Sequence, residues 1–128
     1  MKLLLLASAG GAIGAGLRFL VNQGFAARGL IAFPWATLSV NIVGGFLMGV
    51  VMTVVMERLN GSPELRAFLA TGILGGLTTF SAFTYELQQM ISEDGLASLR
   101  LLAYVAASVV LALAALYAGT AVARTVLS

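Results

Sequence analysis

The sequence predicts an all-α integral membrane protein with four transmembrane helices, and three observations support this fold class. Of the 128 residues, 60% are hydrophobic and 9% are charged, which leaves too few polar side chains to cover a soluble domain. The mean hydropathy is +1.03. Four apolar stretches are long enough to cross a bilayer, which takes about 20 residues per helix. We therefore expect residues 1–128 to form one four-helix transmembrane domain.

The predicted spans follow one another closely along the chain. Their limits are Leu3–Val21, the uncharged stretch between Arg28 and Glu57, Ala67–Tyr85 with a continuation past Glu86, and Leu101–Ala123. The start of the chain has the lysine and leucine run of a signal peptide, but apolar residues continue beyond it, so we interpret it as a retained first span. Turn-forming residues mark the connections, which are residues 22–33 before Pro34, residues 60–63, and residues 92–95.

The charges give almost no topological bias. With four spans, the N-terminus, the middle loop and the C-terminus share one side, which carries Lys2, Arg58, Arg66 and Arg124. The other side carries Arg18, Arg28 and Arg100. One residue or the first helix could still decide the orientation. We favour insertion in both orientations, which allows an antiparallel homodimer, because so small a chain encloses a pore poorly by itself. Glycine pairs four residues apart at 10/14, 45/49 and 72/76 permit close helix contacts and agree with an oligomer.

The composition excludes several classes of function. The chain has no cysteine and no histidine, which rules out disulfides, thiol chemistry, imidazole acid–base catalysis and the common zinc sites. Seven basic and five acidic residues are too few for a nucleic-acid surface. No constellation of a nucleophile with an acid or base is present, so we do not expect an enzyme.

Polar residues inside the spans are the candidates for function, because each must find a partner or pass a substrate. In the second span, Thr37, Asn41 and the glycines that follow them recur every four residues and share one face. The Asn41 carboxamide offers two N–H donors and one acceptor; taken alone, it also fits a packing role between helices. In the fourth span, Tyr104 and Ser108 lie one turn apart, and the same face continues at Ala112.

The third span carries the strongest signal. Gly75 and Gly76 are poor helix residues near its midpoint. A break over residues 75–79 would free carbonyl groups for a cation and present N–H groups of a second half-helix, starting near Thr79, to an anion. Phe80 and Phe83 share a face; they fit ordinary apolar packing, or their positive ring edges could contact an anion weakly enough to release it. These patterns predict an ion site whose sign stays open.

Two long motifs resemble a known family. "FPWATLSVNIVGGFLMG" (33–49) and "TGILGGLTTFSAFTYE" (71–86) are similar to the signature segments of the Fluc/CrcB fluoride channels. "GAGLRF" (14–19) and "YVAAS" (104–108) add shorter matches in the outer spans. The resemblance covers the whole chain in order. It implies an antiparallel, dual-topology homodimer in the inner (plasma) membrane of a bacterium, with two fluoride pathways and a central structural sodium ion.

The resemblance also implies roles for individual residues. Asn41 would be the pore asparagine, and Phe80 and Phe83 the aromatic pair, with rings contributed across the dimer. Sodium would be held by the backbone carbonyls of Gly75 and Thr78. The remaining pathway residues would be Tyr104, Ser108, Thr79, Ser81, Thr37 and Glu86. Glu86 also fits an interfacial carboxylate, and Arg18 would serve the vestibule or the dimer contacts. Relatives often have a second serine where this chain has Ala112, so we expect a modified polar ladder there.

The resemblance favours a passive channel that exports toxic cytoplasmic fluoride across the lipid bilayer. A small dual-topology, proton-coupled multidrug exporter is the alternative. That function needs a membrane-embedded carboxylate, typically in the first span, and the first span has none. A subunit that only packs within a membrane assembly is the third possibility.

Overall fold

The computed structural model describes all residues from Met1 to Ser128, and its regular structure is entirely helical. Helix α1 spans Lys2–Ala27 and α2 spans Trp35–Arg58. The third span consists of α3 (Pro63–Leu65), the π-helix π1 (Arg66–Leu74), α4 (Gly75–Leu77) and α5 (Ser81–Asp94), and the last helix is α6 (Leu99–Leu127). Four segments are long and apolar enough to cross a membrane, which confirms the four predicted spans.

The helix ends follow local chemistry. Residues 22–27 belong to α1 rather than to a connection, so the predicted end at Val21 is wrong; Asn22 and Gln23 are polar but do not stop a helix. The turn after α2 contains Asn60 with φ 51° and Gly61 with φ 67°. Ser98 caps α6 by accepting the N–H of Leu101 at 3.2 Å.

Two ion pairs bring the N-terminus, the middle loop and the C-terminus to one end of the bundle. Lys2 Nζ lies 3.1 Å from Glu64 Oε1, and Arg124 Nε lies 3.0 Å from Glu57 Oε1. At the other end, Arg100 pairs with Glu93 and Asp94. The chain therefore crosses the bundle four times, with the even number of passes that the sequence predicts.

The helices form two close pairs, α1 with the third span and α2 with α6. Gly10 and Gly14 meet the backbone of π1 and α4, and Gly72 packs against Gly10. A side chain at Gly76 would lie 2.5 Å from the carbonyl oxygen of Gly11. The glycine pairs 10/14 and 72/76 therefore serve contacts between helices of one chain.

Most apolar side chains face outward. Only 20 of 128 residues are buried, and large side chains such as Leu20, Val110 and Tyr117 are exposed. A buried cluster of Leu38, Phe83, Met90, Leu101 and Tyr104 lies where α2, α5 and α6 meet. The exposed apolar surface has the character expected of helices surrounded by lipid or by another chain.

Candidate functional site

The helical geometry of the third span stops between Leu77 and Ser81. Thr78 has extended backbone angles, with φ −76° and ψ 157°, whereas Gly75 is helical with φ −65° and ψ −34°. The expectation that the glycine pair itself departs from the helix is therefore wrong. Gly76 is needed for the close approach of α1, and the departure comes two residues later. Helix α5 begins at Ser81, two residues after Thr79.

Asn41 explains why the chain departs from the helix at this point. Its Oδ1 accepts the N–H of Thr79 at 2.8 Å, and its Nδ2 donates to the carbonyl of Thr79 at 3.0 Å. A side chain of α2 thus replaces the helical partners that this peptide would otherwise need. The second N–H of the carboxamide has no acceptor within the chain and is free for another ligand.

The residues around this departure line an open cleft of about 420 Å³. Asn41 contributes from α2, and Ser108 and Ala112 contribute from α6. The third span supplies most of the lining, which is Gly75, Thr78, Thr79, Phe80 and Phe83. The structure therefore brings together seven of the residues that the sequence analysis assigned to the fluoride pathway or the sodium site. Their roles stay predictions.

Several polar groups beside the cleft lack partners within the chain. Ser108 Oγ is buried and makes no hydrogen bond. Thr79 donates its N–H to Asn41, so the Gly75 carbonyl receives no hydrogen bond, and no donor reaches the carbonyl of Thr78. The N–H of Phe80 has no acceptor in the chain. Ser108 is buried whereas Gly75 and Phe80 are exposed, so the unpaired Ser108 hydroxyl is the one group here that departs from the rule that buried polar groups are paired.

The two phenylalanines differ in exposure although their rings are close. The ring centroids of Phe80 and Phe83 are 5.5 Å apart, and Phe83 lies 5.2 Å from the Tyr104 ring. Phe83 is 7% exposed, whereas Phe80 is 75% exposed at the open side of the cleft. Ordinary packing explains Phe83 within this chain. It does not explain Phe80, which needs lipid or another chain as its surroundings.

Glu86 accepts hydrogen bonds from two of the other predicted polar side chains. Thr37 Oγ1 donates to Glu86 Oε1 at 2.6 Å, and Tyr104 Oη donates to Glu86 Oε2 at 2.6 Å. Thr37 and Tyr104 are buried. Since Tyr104 lies one helical turn from Ser108, a continuous line of polar groups leads from the cleft to this carboxylate. The position of Glu86 against two buried hydroxyls argues against a purely interfacial carboxylate.

Two predicted residues lie outside this arrangement or at its edge. Arg18 is half-buried on α1, makes no hydrogen bond or ion pair, and does not line the cleft. The Ser81 hydroxyl lies 3.3 Å from Thr79 Oγ1 beside the cleft.

Sequence reasoning missed two features of the site. The π-helix Arg66–Leu74 has no composition signal in the sequence, although such segments occur often near functional sites. A second cavity on the far side of Glu86, with Asn22, Gln89 and Arg100 in its lining, was not foreseen. The only indication of that cavity in the sequence is the presence of polar residues near the ends of the apolar spans.

Comparison with known proteins places these residues in a family context. The family model described as "CrcB-like protein, Camphor Resistance (CrcB)" matches residues 5–120. The chain is 45% identical to a fluoride-specific ion channel FluC of Rhizobium meliloti (strain 1021), over 97% of this chain and 98% of the relative. It is 46% identical to a protein of the same name from Caulobacter vibrioides, over 98% of each chain. A third such protein, from Hahella chejuensis, is 44% identical over 92% of this chain and 91% of its own length.

Proposed function

The chain belongs to the CrcB-like family, and on that basis we propose that it is a fluoride-selective ion channel that releases toxic cytoplasmic fluoride by passive flow. The observation that carries this proposal is the cleft in which Asn41, Phe80, Phe83 and Ser108 converge beside unpaired backbone groups. Relatives from three bacteria, which align with this chain over more than nine-tenths of their length, are named fluoride-specific ion channels.

The donors in the cleft suit a small anion. The free N–H of Asn41, the Ser108 hydroxyl and the Phe80 N–H are neutral donors, and no lysine or arginine lines the cleft. Neutral donors and the positive edges of the phenylalanine rings replace part of the hydration shell without holding the ion as tightly as a fixed charge would. Conduction requires this balance between entry and release.

The polar line continues the pathway beyond the cleft. An anion at Ser108 lies one helical turn from the Tyr104 hydroxyl, which together with Thr37 donates to Glu86. We assign these hydroxyls to the deeper part of the pathway, with Thr79 and Ser81 at the cleft end. Ala112 lines the same cleft and offers no hydroxyl, so this segment has one ligand fewer than relatives with serine there.

We also propose that a structural sodium ion binds at the centre of the assembly. The carbonyls of Gly75 and Thr78 receive no hydrogen bond within the chain, and carbonyl oxygens are suitable ligands for a hard cation. Gly75 is exposed on a single chain, where a second copy could add matching carbonyls. The ion would supply a fixed positive charge that holds two interrupted spans together.

We propose that two chains assemble in opposite orientations in the inner membrane of a bacterium. The ring of Phe80 is 75% exposed at the open side of the cleft, and a partner chain would cover it and complete the pathway. The nearly even distribution of basic residues allows insertion both ways.

Because the chain has no native cysteine, topology can be measured directly. Ser62→Cys in intact cells should react with an impermeant maleimide on about half of the molecules, since insertion both ways presents this loop equally on each side. The label accessible after lysis gives the total. Complete labelling or no labelling before lysis would contradict dual topology.

Proteoliposomes test the proposed function. Purified protein is reconstituted into vesicles loaded with potassium fluoride or potassium chloride, and valinomycin starts anion efflux that an ion-selective electrode follows. Fluoride should leave rapidly and chloride should stay at the rate of protein-free vesicles. Equal efflux of both halides, or fluoride efflux no faster than from empty vesicles, would overturn the channel assignment. Proton-driven uptake of organic cations would instead favour the multidrug exporter.

A further inference from the structure

Tyr104 donates its hydroxyl to Glu86 from a fully buried position between two other aromatic rings. Tyr104 is 0% exposed, and its Oη lies 2.6 Å from Glu86 Oε2. The centroid of the Phe83 ring is 5.2 Å from that of Tyr104, and the centroid of Phe33 is 5.4 Å away with the ring planes at 82°. An edge-to-face contact of this kind is a preferred geometry for two aromatic rings. The direction of the Tyr104 hydroxyl therefore depends on Phe33 as well as on Phe83.

The backbone of Phe33 is fixed by the turn that leads into α2. Pro34 has φ −77° and ψ 60°, and the N–H of Trp35 donates to the Phe33 carbonyl at 2.8 Å, which together form an inverse γ-turn. The proline ring prevents rotation about φ at the centre of this turn. A short, rigid turn therefore fixes Phe33 relative to α2, the helix that also carries Thr37.

The ring of Phe33 is held on both sides. The ring centroids of Phe33 and Trp35 are 4.6 Å apart, with the planes at 49°. Both rings line the second cavity, beside Glu86, which has a volume of about 250 Å³, and Phe33 is half-buried. Phe33 also packs against the buried cluster that contains Tyr104. Phe33 therefore lies between this cavity and Tyr104, so that removal of its ring would leave Tyr104 room to move toward the cavity.

We propose that Phe33 is a positioning residue of the polar line, which holds the Tyr104 ring so that its hydroxyl stays directed at Glu86. Phe33 has no polar side-chain atom and acts only by limiting the motion of Tyr104. This inference rests on the proposed function, because it concerns an anion pathway that runs past Tyr104. It differs from a general packing role, since the effect of Phe33 on conduction depends on the Tyr104 hydroxyl.

A double-mutant cycle with Tyr104→Phe tests this dependence. Phe33→Leu keeps an apolar side chain and removes the ring edge, so it should lower fluoride efflux about fivefold through the loss of one aromatic contact. Tyr104→Phe removes the hydroxyl and should lower efflux about tenfold. The double variant should be no slower than Tyr104→Phe alone, because a ring without a hydroxyl gains nothing from its orientation. Independent effects would instead multiply to about fiftyfold.

Phe25→Leu is the matched control. Phe25 lines the same cavity from α1 and is also half-buried, but it forms no pair with another aromatic ring. It should leave efflux unchanged, whether or not Tyr104→Phe is present. If Phe33→Leu does not fold, Phe33→Met enters the same cycle, since the flexible methionine side chain fills irregular space without a ring.

Nitration by tetranitromethane reports on Tyr104 without any flux measurement. The purified protein is treated in detergent, and peptide mass spectrometry gives the rate of nitration at Tyr104. The rate should be low in the wild type and in Phe25→Leu, because Tyr104 is fully buried. Phe33→Leu should raise it several-fold, because the Tyr104 ring is then free to move toward the second cavity.

These measurements separate the inference from the proposed function. Losses of efflux that multiply in the double variant would overturn the positioning assignment and leave the channel assignment intact. Nitration of Tyr104 at the same rate in the wild type and in Phe33→Leu would do the same. A wild-type protein that carries no fluoride would overturn the channel assignment, and nitration would then still decide whether Phe33 holds Tyr104 in place.

Discussion

The contact of α1 with the third span and the cleft beside the same span use similar small residues in opposite ways. At the helix contact, Gly10, Gly14, Gly72 and Gly76 bring two backbones together, and helical hydrogen bonds satisfy their peptides. Two residues after Gly76 the helix stops, and carbonyl, amide and hydroxyl groups remain without partners in the chain. Polar groups that are satisfied hold the bundle together, whereas we propose that those left without partners bind an ion.

The largest effect is expected at the helix contact. Gly76→Leu should prevent folding, because its Cβ alone would lie 2.5 Å from the carbonyl oxygen of Gly11 and neither backbone can move away cheaply. Gel filtration in mild detergent should show aggregated protein. Gly16→Ala is the control: nothing lies within 4 Å of a Cβ built there, so it should elute like the wild type. Normal elution of Gly76→Leu would show that the helices are less close than described.

Asn41→Asp tests the junction between the two regions. The aspartate keeps the acceptor for the Thr79 N–H but loses the donor to the Thr79 carbonyl, and it adds a negative charge beside the proposed anion site. Fluoride efflux should fall about a hundredfold, which corresponds to the cost of an unpaired, charged and partly buried group. Asn60→Asp, in the exposed turn after α2, should leave efflux unchanged. An Asn41→Asp protein that conducts normally would mean that the carboxamide only packs helices.

A smaller effect is expected at Ser108, whose buried hydroxyl has no partner, than at Asn41, and Thr53 offers a buried hydroxyl with a partner for comparison. Thr53 Oγ1 donates to the Gly49 carbonyl at 2.7 Å. Ser108→Ala should reduce fluoride efflux up to about tenfold, as expected for one neutral hydrogen bond, and leave thermal stability unchanged. Thr53→Val should leave efflux unchanged. Equal effects of the two substitutions on efflux would remove the distinction between satisfied and unsatisfied groups.

The parts of the fold that depend on bilayer thickness could be predicted from the sequence, and the parts that depend on distant contacts could not. Hydropathy alone predicts four spans, because an uncharged apolar stretch of about 20 residues is most stable as a helix that crosses the bilayer. Glycine propensity predicted an interruption over residues 75–79, and the backbone is non-helical over residues 78–80. The low helix propensity of Gly76 is offset by its close packing against α1. The backbone leaves the helix at Thr78, because Asn41, which is 38 residues away from Thr79, binds the Thr79 peptide.

The candidate site was likewise predictable residue by residue but not as an arrangement. The motifs indicate Asn41, Phe80 and Ser108, since polar and aromatic residues in a membrane span need a reason to be there. The pairing of Glu86 with Thr37 and Tyr104 joins residues from three helices, which no local pattern reveals. The second cavity, beside Glu86, depends on how α1 and α5 end, and helix ends are the least predictable part of the chain.

The most direct test of the proposed channel is fluoride efflux from vesicles that contain the Phe80→Ile protein. The exposed ring of Phe80 is either a pathway side chain or an ordinary lipid contact, and isoleucine keeps an apolar side chain while removing the ring edge. We expect the variant to elute like the wild type in detergent and to lose fluoride efflux to the level of protein-free vesicles. Efflux at the wild-type rate would contradict the account, because it would show that the ring beside the cleft takes no part in conduction.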